Sequence, residues 1–109
     1  AEAVRDFLKP GRSYNQIIDF YLQALEKEGL PANPPTPHCL GLQHTDDPRP
    51  DDWHPGLQPD LVLETGMVLN VDMPFLEVGA GMMHREDTFV ITLDGCRALT
   101  QLDDTLIEI

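Results

Sequence analysis

Two carboxylates and four histidines carry most of the chemistry this sequence could perform. Asp72 and Glu86 each stand in the middle of an apolar-rich run within TGMVLNVDMPFLEVGAGMMHREDTFVIT, residues 65–92, and the runs join through Gly79-Ala80-Gly81. Val68, Leu69 and Val71 before the junction, and Phe89, Val90 and Ile91 after it, suit a pleated, partly buried surface. The glycines give the backbone freedom to reverse. A β-hairpin follows, and pairing Asp72 with Glu86 centres its turn on Gly79. The two carboxylates then face each other on neighbouring strands. Like charges so placed repel unless a cation lies between them, one is protonated, or a basic neighbour such as His84 or Arg85 intervenes.

Other elements must hold this hairpin. Val4, Phe7 and Leu8 repeat at helical spacing until Pro10-Gly11 ends the run, so the chain is expected to open on the last turns of a helix, as a truncated piece would. Ser13 and Gln16 form a capping-box pattern, and Ile17, Ile18, Tyr21, Leu22 and Leu25 give a second, amphipathic helix that Gly29 closes. Its role is read as covering a sheet. Four prolines between Leu30 and Pro37 predict an extended connection, after which PHCLGL is a short strand carrying His38 inward. The stretch GLQHTDDPRPDDWHPGLQPD has too few apolar positions for a buried element and reads as a long ordered loop. Its Asp46, Asp47, Asp51 and Asp52 could ligate a cation, but the interleaved Pro48 and Pro50 favour a solvated turn surface. Past the hairpin, Leu93-Asp94-Gly95-Cys96 is a tight turn and Arg97 to Thr100 a returning strand, with Leu102 to Ile109 a final strand or a frayed end.

Composition narrows the functions. With 109 residues the chain is one domain with a single modest core. Seven Lys and Arg against 19 Asp and Glu give a net charge of −12, which disfavours nucleic acid and anionic membranes and favours cations. No uncharged apolar run reaches transmembrane length, and the start of the chain lacks the pattern of a signal peptide. Cys39 and Cys96 form neither a disulfide framework nor a thiolate zinc spacing, so both are read as reduced thiols in a cytoplasmic protein.

The order of blocks, a helix, an H-x-x-G-L loop, then GMVLNVDMP and HREDTFVITLDGCRALT, resembles the C-terminal half of the pita-bread metallopeptidases. That family holds methionine aminopeptidases, Xaa-Pro aminopeptidases, prolidases and the non-peptidase creatinases. The resemblance runs from Pro10 through Thr100. It implies an α+β fold, a curved and mainly antiparallel sheet with helices on one face, and residues 1–109 as a single domain that is the C-terminal portion of a larger catalytic domain.

Carried over by position, the family's metal-binding histidine falls on His38, its first metal glutamate on Asp72 and its second on Glu86. These donors suit Mn(II), Fe(II), Co(II) or Zn(II), and the paired carboxylates could bridge two ions. The implied reaction is a metal-activated water attacking the carbon of a peptide or small amide, with Glu86 or Asp72 moving the proton. Several positions depart from the pattern, beginning with Cys39, which stands where glycine is usual. Asp72 is a methylene shorter than glutamate and precedes Met73 where proline is usual. The second histidine of the family falls on Thr45, beside His44. His84 stands where arginine is usual, with Arg85 displaced by one. Catalytic candidates are therefore Glu86, His44, Thr45 and His84, and metal candidates His38, Asp72 and Glu86. The family's other two ligands are aspartates on upstream strands, for which nothing before Ser13 qualifies. The chain alone is thus expected to bind metal weakly, to lack hydrolase activity, and to form a homodimer in which a second copy stands in for the other half. A creatinase-like enzyme fragment and a non-catalytic binding or structural module remain the alternatives.

Overall fold

A computed structural model describes residues 2–40, 42, 60–77, 79 and 81–100. Two helices, α1 (Glu2–Phe7) and α2 (Tyr14–Lys27), accompany four strands, β1 (Thr36–Cys39), β2 (Val68–Glu77), β3 (Gly81–Ile91) and β4 (Cys96–Ala98). The strands form one antiparallel sheet in the order β1-β2-β3-β4.

Helix α2 is fixed at both ends by its own sequence. The Ser13 hydroxyl accepts the Gln16 amide at 3.2 Å while the Gln16 side chain accepts the Ser13 amide at 3.1 Å, which is the predicted capping box. Asp60 Oδ1 takes the next free amide, that of Asn15, at 3.1 Å. At the other end Gly29 turns left-handed at φ 69°, and the amides of Gly29 and Leu30 donate back to Glu26 and Leu25, each at 2.9 Å. This closes the last carbonyls in a Schellman arrangement. A feature not read from the sequence ties α2 down further. Tyr14 N donates to Leu61 O at 2.8 Å and Leu63 N to Arg12 O at 2.7 Å, so the segment entering β2 pairs with the one entering α2.

The hairpin has the predicted register, with Asp72 opposite Glu86 and β2 and β3 joining around Gly79, whose φ is 91°. Pro74 in β2 lies beyond the end of β1, whose pairing stops at Thr36 with Asp72. There, among the described residues, β2 has a neighbouring strand on one side only, which is where a strand tolerates a residue without an N–H. The short strand with His38 runs over Thr36–Cys39, starting one residue before the expected PHCLGL and ending earlier. The returning strand is Cys96–Ala98 rather than Arg97 to Thr100. Leu99 N still reaches Thr88 O at 2.8 Å, after which Thr100 turns its hydroxyl to Asp87 at 3.2 Å.

Alternation along the strands sorts the side chains. Leu69, Val71, Met73, Phe89 and Ile91 face the helices and form one core with Val4, Leu8, Tyr14, Ile17 and Leu63. On that same side Arg85 holds Asp87 through Nε at 2.7 Å and Nη2 at 3.3 Å. Of the two basic neighbours proposed for the carboxylate pair, Arg85 is therefore turned away and His84 is not. The Asp46 to Asp52 loop, Trp53, His54 and the Leu102 to Ile109 tail lie outside the described residues. Within them, no helix is long and apolar enough to cross a membrane.

Candidate metal centre

A cluster of polar residues lies on the face of the sheet away from the helices. In β2 these are Asn70 and Asp72, in β3 His84, Glu86 and Thr88, and in β1 His38, which pairs with Asn70. Burial falls steeply across the group. The side-chain exposure is 1% for His38, 17% for Asp72, 44% for Glu86 and 40% for His84, so the cluster has a closed end and an open one.

The closed end has a defined protonation geometry. His38 Nδ1 lies 3.1 Å from the Cys39 carbonyl oxygen. A carbonyl can only accept, so Nδ1 carries a hydrogen, and a neutral ring then has its lone pair on Nε2. That lone pair points into the cluster, 3.6 Å from Asp72 Oδ2 and 3.3 Å from Asn70 Nδ2. A ring nitrogen anchored on a backbone carbonyl, with its partner nitrogen presented to carboxylates, is the usual preparation of a metal-binding histidine.

Asn70 sits at the junction. Thr88 Oγ1 donates to Asn70 Oδ1 at 3.1 Å, which turns the amide nitrogen the other way. That nitrogen is 2.6 Å from Asp72 Oδ1, 3.4 Å from Glu86 Oε2 and 3.3 Å from His38 Nε2. Two amide hydrogens thus meet three acceptors, two of them on carboxylates. Among the described residues the cluster gathers more acceptors than the Asn70 amide has hydrogens, which suits a divalent cation better than an anion. At the open end His84 Nε2 lies 3.6 Å from Glu86 Oε1, and Asp72, His84 and Glu86 each offer a ligand atom within 4.8 Å of the others.

The sequence-predicted residues thus divide into two sets. His38, Asp72, Glu86 and His84 are gathered on one face, whereas His44 and Thr45 lie outside the described residues. Asn70 and Thr88 were not singled out from the sequence. Their signal was parity: both are two residues from a candidate carboxylate, and a strand repeats every two.

The sequence model of metallopeptidase family M24 matches residues 1–93, most of the chain. The chain belongs to that family. No curated protein matches this M24 chain by sequence. Solved structures share its fold. The dipeptidase PepE from Mycobacterium ulcerans superposes with a TM-score of 0.78 at 23% identity, covering 97% of this chain and 28% of its own. A prolidase from Pyrococcus horikoshii gives 0.75 at 25%, covering 97% and 29%, and a prolidase from Pyrococcus furiosus gives 0.73 at 22%, covering 94% and 29%. The chain therefore spans less than a third of the length of these structures. What they share with it is the α+β arrangement of an antiparallel sheet with helices on one face.

Proposed function

We propose that this chain forms the His38, Asp72 and Glu86 side of a metal-dependent hydrolase centre of the prolidase or aminopeptidase kind, acting on a peptide or small amide. The observation that carries the reading is the register: Asp72 stands directly opposite Glu86, with the His38 lone pair turned toward the pair. Mixed imidazole and carboxylate donors suit Mn(II), Fe(II), Co(II) or Zn(II), and carboxylates on adjoining strands suit a bridged pair of ions. Such an ion, when bound, supplies Lewis acidity toward a carbonyl and toward water.

The chain's own residues then have separate tasks. His38, fixed by the Cys39 carbonyl, is the buried anchor. Asp72, hydrogen-bonded to Asn70, sets the second donor position. Glu86 is the more exposed carboxylate and is placed to accept a proton and return it. Because the related structures are more than three times as long, we place residues 1–109 as one domain at the C-terminal portion of a larger catalytic domain, with further ligands supplied from elsewhere. Two free thiols and the charge of −12 support a cytoplasmic setting, and an exposed Met82 and Met83 in β3 support pairing of two copies. Light scattering tests the homodimer, since a monomer at micromolar concentration refutes it.

The test of the centre is calorimetric titration with Mn(II) or Co(II). Binding is expected to be weak for want of a full ligand set and to vanish in His38→Ala. Undiminished binding in that variant would place the ligands elsewhere. One observation favours a second reading, a binding or structural module: the Asn70 amide lies within hydrogen-bond reach of both carboxylates and of His38, so it can hold the cluster together by itself. Absence of binding by the unmodified chain would select it.

A further inference from the structure

We propose that His84 is a metal ligand, so that the β2–β3 hairpin holds a divalent transition-metal ion on Asp72, His84 and Glu86, with water in the remaining positions. The proposal deepens the reading above, since it shares Asp72 and Glu86 with it, but it differs in taking its imidazole from the open end of the cluster.

Three observations carry it. Asp72, His84 and Glu86 are the group of ligand-type side chains, among the described residues, whose donor atoms all approach within 4.8 Å of one another, and the group includes His84 rather than His38. The spacing is also compatible with two donors sharing one ion. His84 Nε2 is 3.6 Å from Glu86 Oε1. A charge-assisted hydrogen bond brings such atoms to about 2.8 Å. Two donors on one four-coordinate ion, at zinc-like bond lengths, stand about 3.4 Å apart. The third observation is what the competing base does. Arg85 lies on the opposite face of the hairpin, where its guanidinium holds Asp87. On the other face it is His84, whose imidazole in its neutral form offers a lone pair, that stands beside Glu86.

The hairpin also makes the arrangement local. All three ligands come from two directly paired strands, with Asp72 opposite Glu86 and His84 opposite Pro74. Folding the hairpin is enough to bring these three side chains together. With 40% of its side chain exposed, His84 stands at the mouth, where an ion would enter.

Co(II) titration of the full chain tests this, read by visible absorption and by the ring resonances of the histidines. The expected result is binding that weakens roughly tenfold or more in His84→Ala, with the His84 ring signals shifted in the unmodified protein. The ring signals report on the wild-type chain, so the result does not depend on the variant's folding. Binding unchanged in His84→Ala, with His84 signals unmoved, overturns the proposal. If His38→Ala alone abolishes binding, the centre on His38 stands and the hairpin site falls. If His84→Ala alone abolishes it, the hairpin site stands and the His38 anchor falls. A chain that binds no Co(II) refutes both.

Discussion

The two faces of the β2–β3 hairpin are made from alternate residues of the same strands, yet they do opposite things. Leu69, Val71, Met73, Phe89 and Ile91 are buried against α1 and α2, while Asn70, Asp72, Glu86 and Thr88 gather with His38 on the other side. The first face obtains stability from apolar area withdrawn from water, which is insensitive to small angular errors. The second depends on lone pairs aimed at one point, where a shift of an ångström matters. A slip of one residue would exchange the faces, so the apolar half of each strand fixes the register on which the polar half depends. The core, in this sense, is what aims the site.

The largest break in this comparison comes from the core side. Phe89 is 2% exposed and is among the largest fully buried side chains. Phe89→Ala should lower unfolding free energy by about 3–5 kcal/mol. Urea denaturation measures it, and cation binding should be lost along with the fold. A loss below about 1 kcal/mol would mean that the helices do not rest on the sheet as described.

Alkaline pH should also strike the core face first. Burial pushes the Tyr14 hydroxyl well above its usual range, with its bond to Cys39 Sγ at 3.4 Å adding to the effect. Burial likewise pushes the Cys96 thiol up, only partly offset by nearby Arg5. Both groups are neutral when protonated and prefer that form in the folded chain. Their contribution is therefore complete below the unfolded values of 9.0 for the thiol and 10.0 for the phenol, and declines as pH rises beyond them. Thermal unfolding should be independent of these groups at neutral pH and shift downward above about pH 9. Tyr14→Phe should make that decline shallower.

Much of this was legible in the sequence, and the boundary has a physical basis. Period-two apolar runs and the glycine junction were enough to set Asp72 against Glu86. Ser13, Gln16 and Gly29 announced both ends of α2, because caps depend on residues adjacent in the chain. Asn70 escaped notice because its partners come from three strands, at 2, 16 and 32 residues' remove. The clamp between Arg12 and Leu63 escaped for a related reason: it is made by backbone atoms, on which side-chain patterns are silent. His84 was visible as a substitute for arginine, but its approach to Glu86 and Asp72 follows from rotamers that the sequence does not state.

A smaller effect sharpens the division between faces. Ser13→Ala removes the hydroxyl that accepts the Gln16 amide and, with it, half of the capping box. The cost should be about 1 kcal/mol by urea denaturation. Because Ser13 belongs to the helix side, the affinity for Co(II) in the folded protein should not change. A parallel loss of affinity would show that the polar face is coupled to α2 more closely than the alternation of the strands implies.

The smallest expected change in stability belongs to a ligand shared by both proposed sites. Asp72 faces Glu86 across the ladder, and two like charges so placed cost the fold about 0.2–1 kcal/mol when no cation lies between them. Asp72→Asn keeps the size of the side chain and an oxygen able to accept the Asn70 amide that now lies 2.6 Å from Oδ1. It removes one charge and one anionic ligand. Without added metal the variant should unfold within about 1 kcal/mol of the parent, with any shift toward greater stability. With excess Co(II) or Mn(II), the parent should gain thermal stability by mass action while the variant gains little. Thermal melts with and without metal give both comparisons in one experiment. A variant that loses stability without metal would show that the Asp72 charge supports the fold, and that the polar face is structural before it is a cation site.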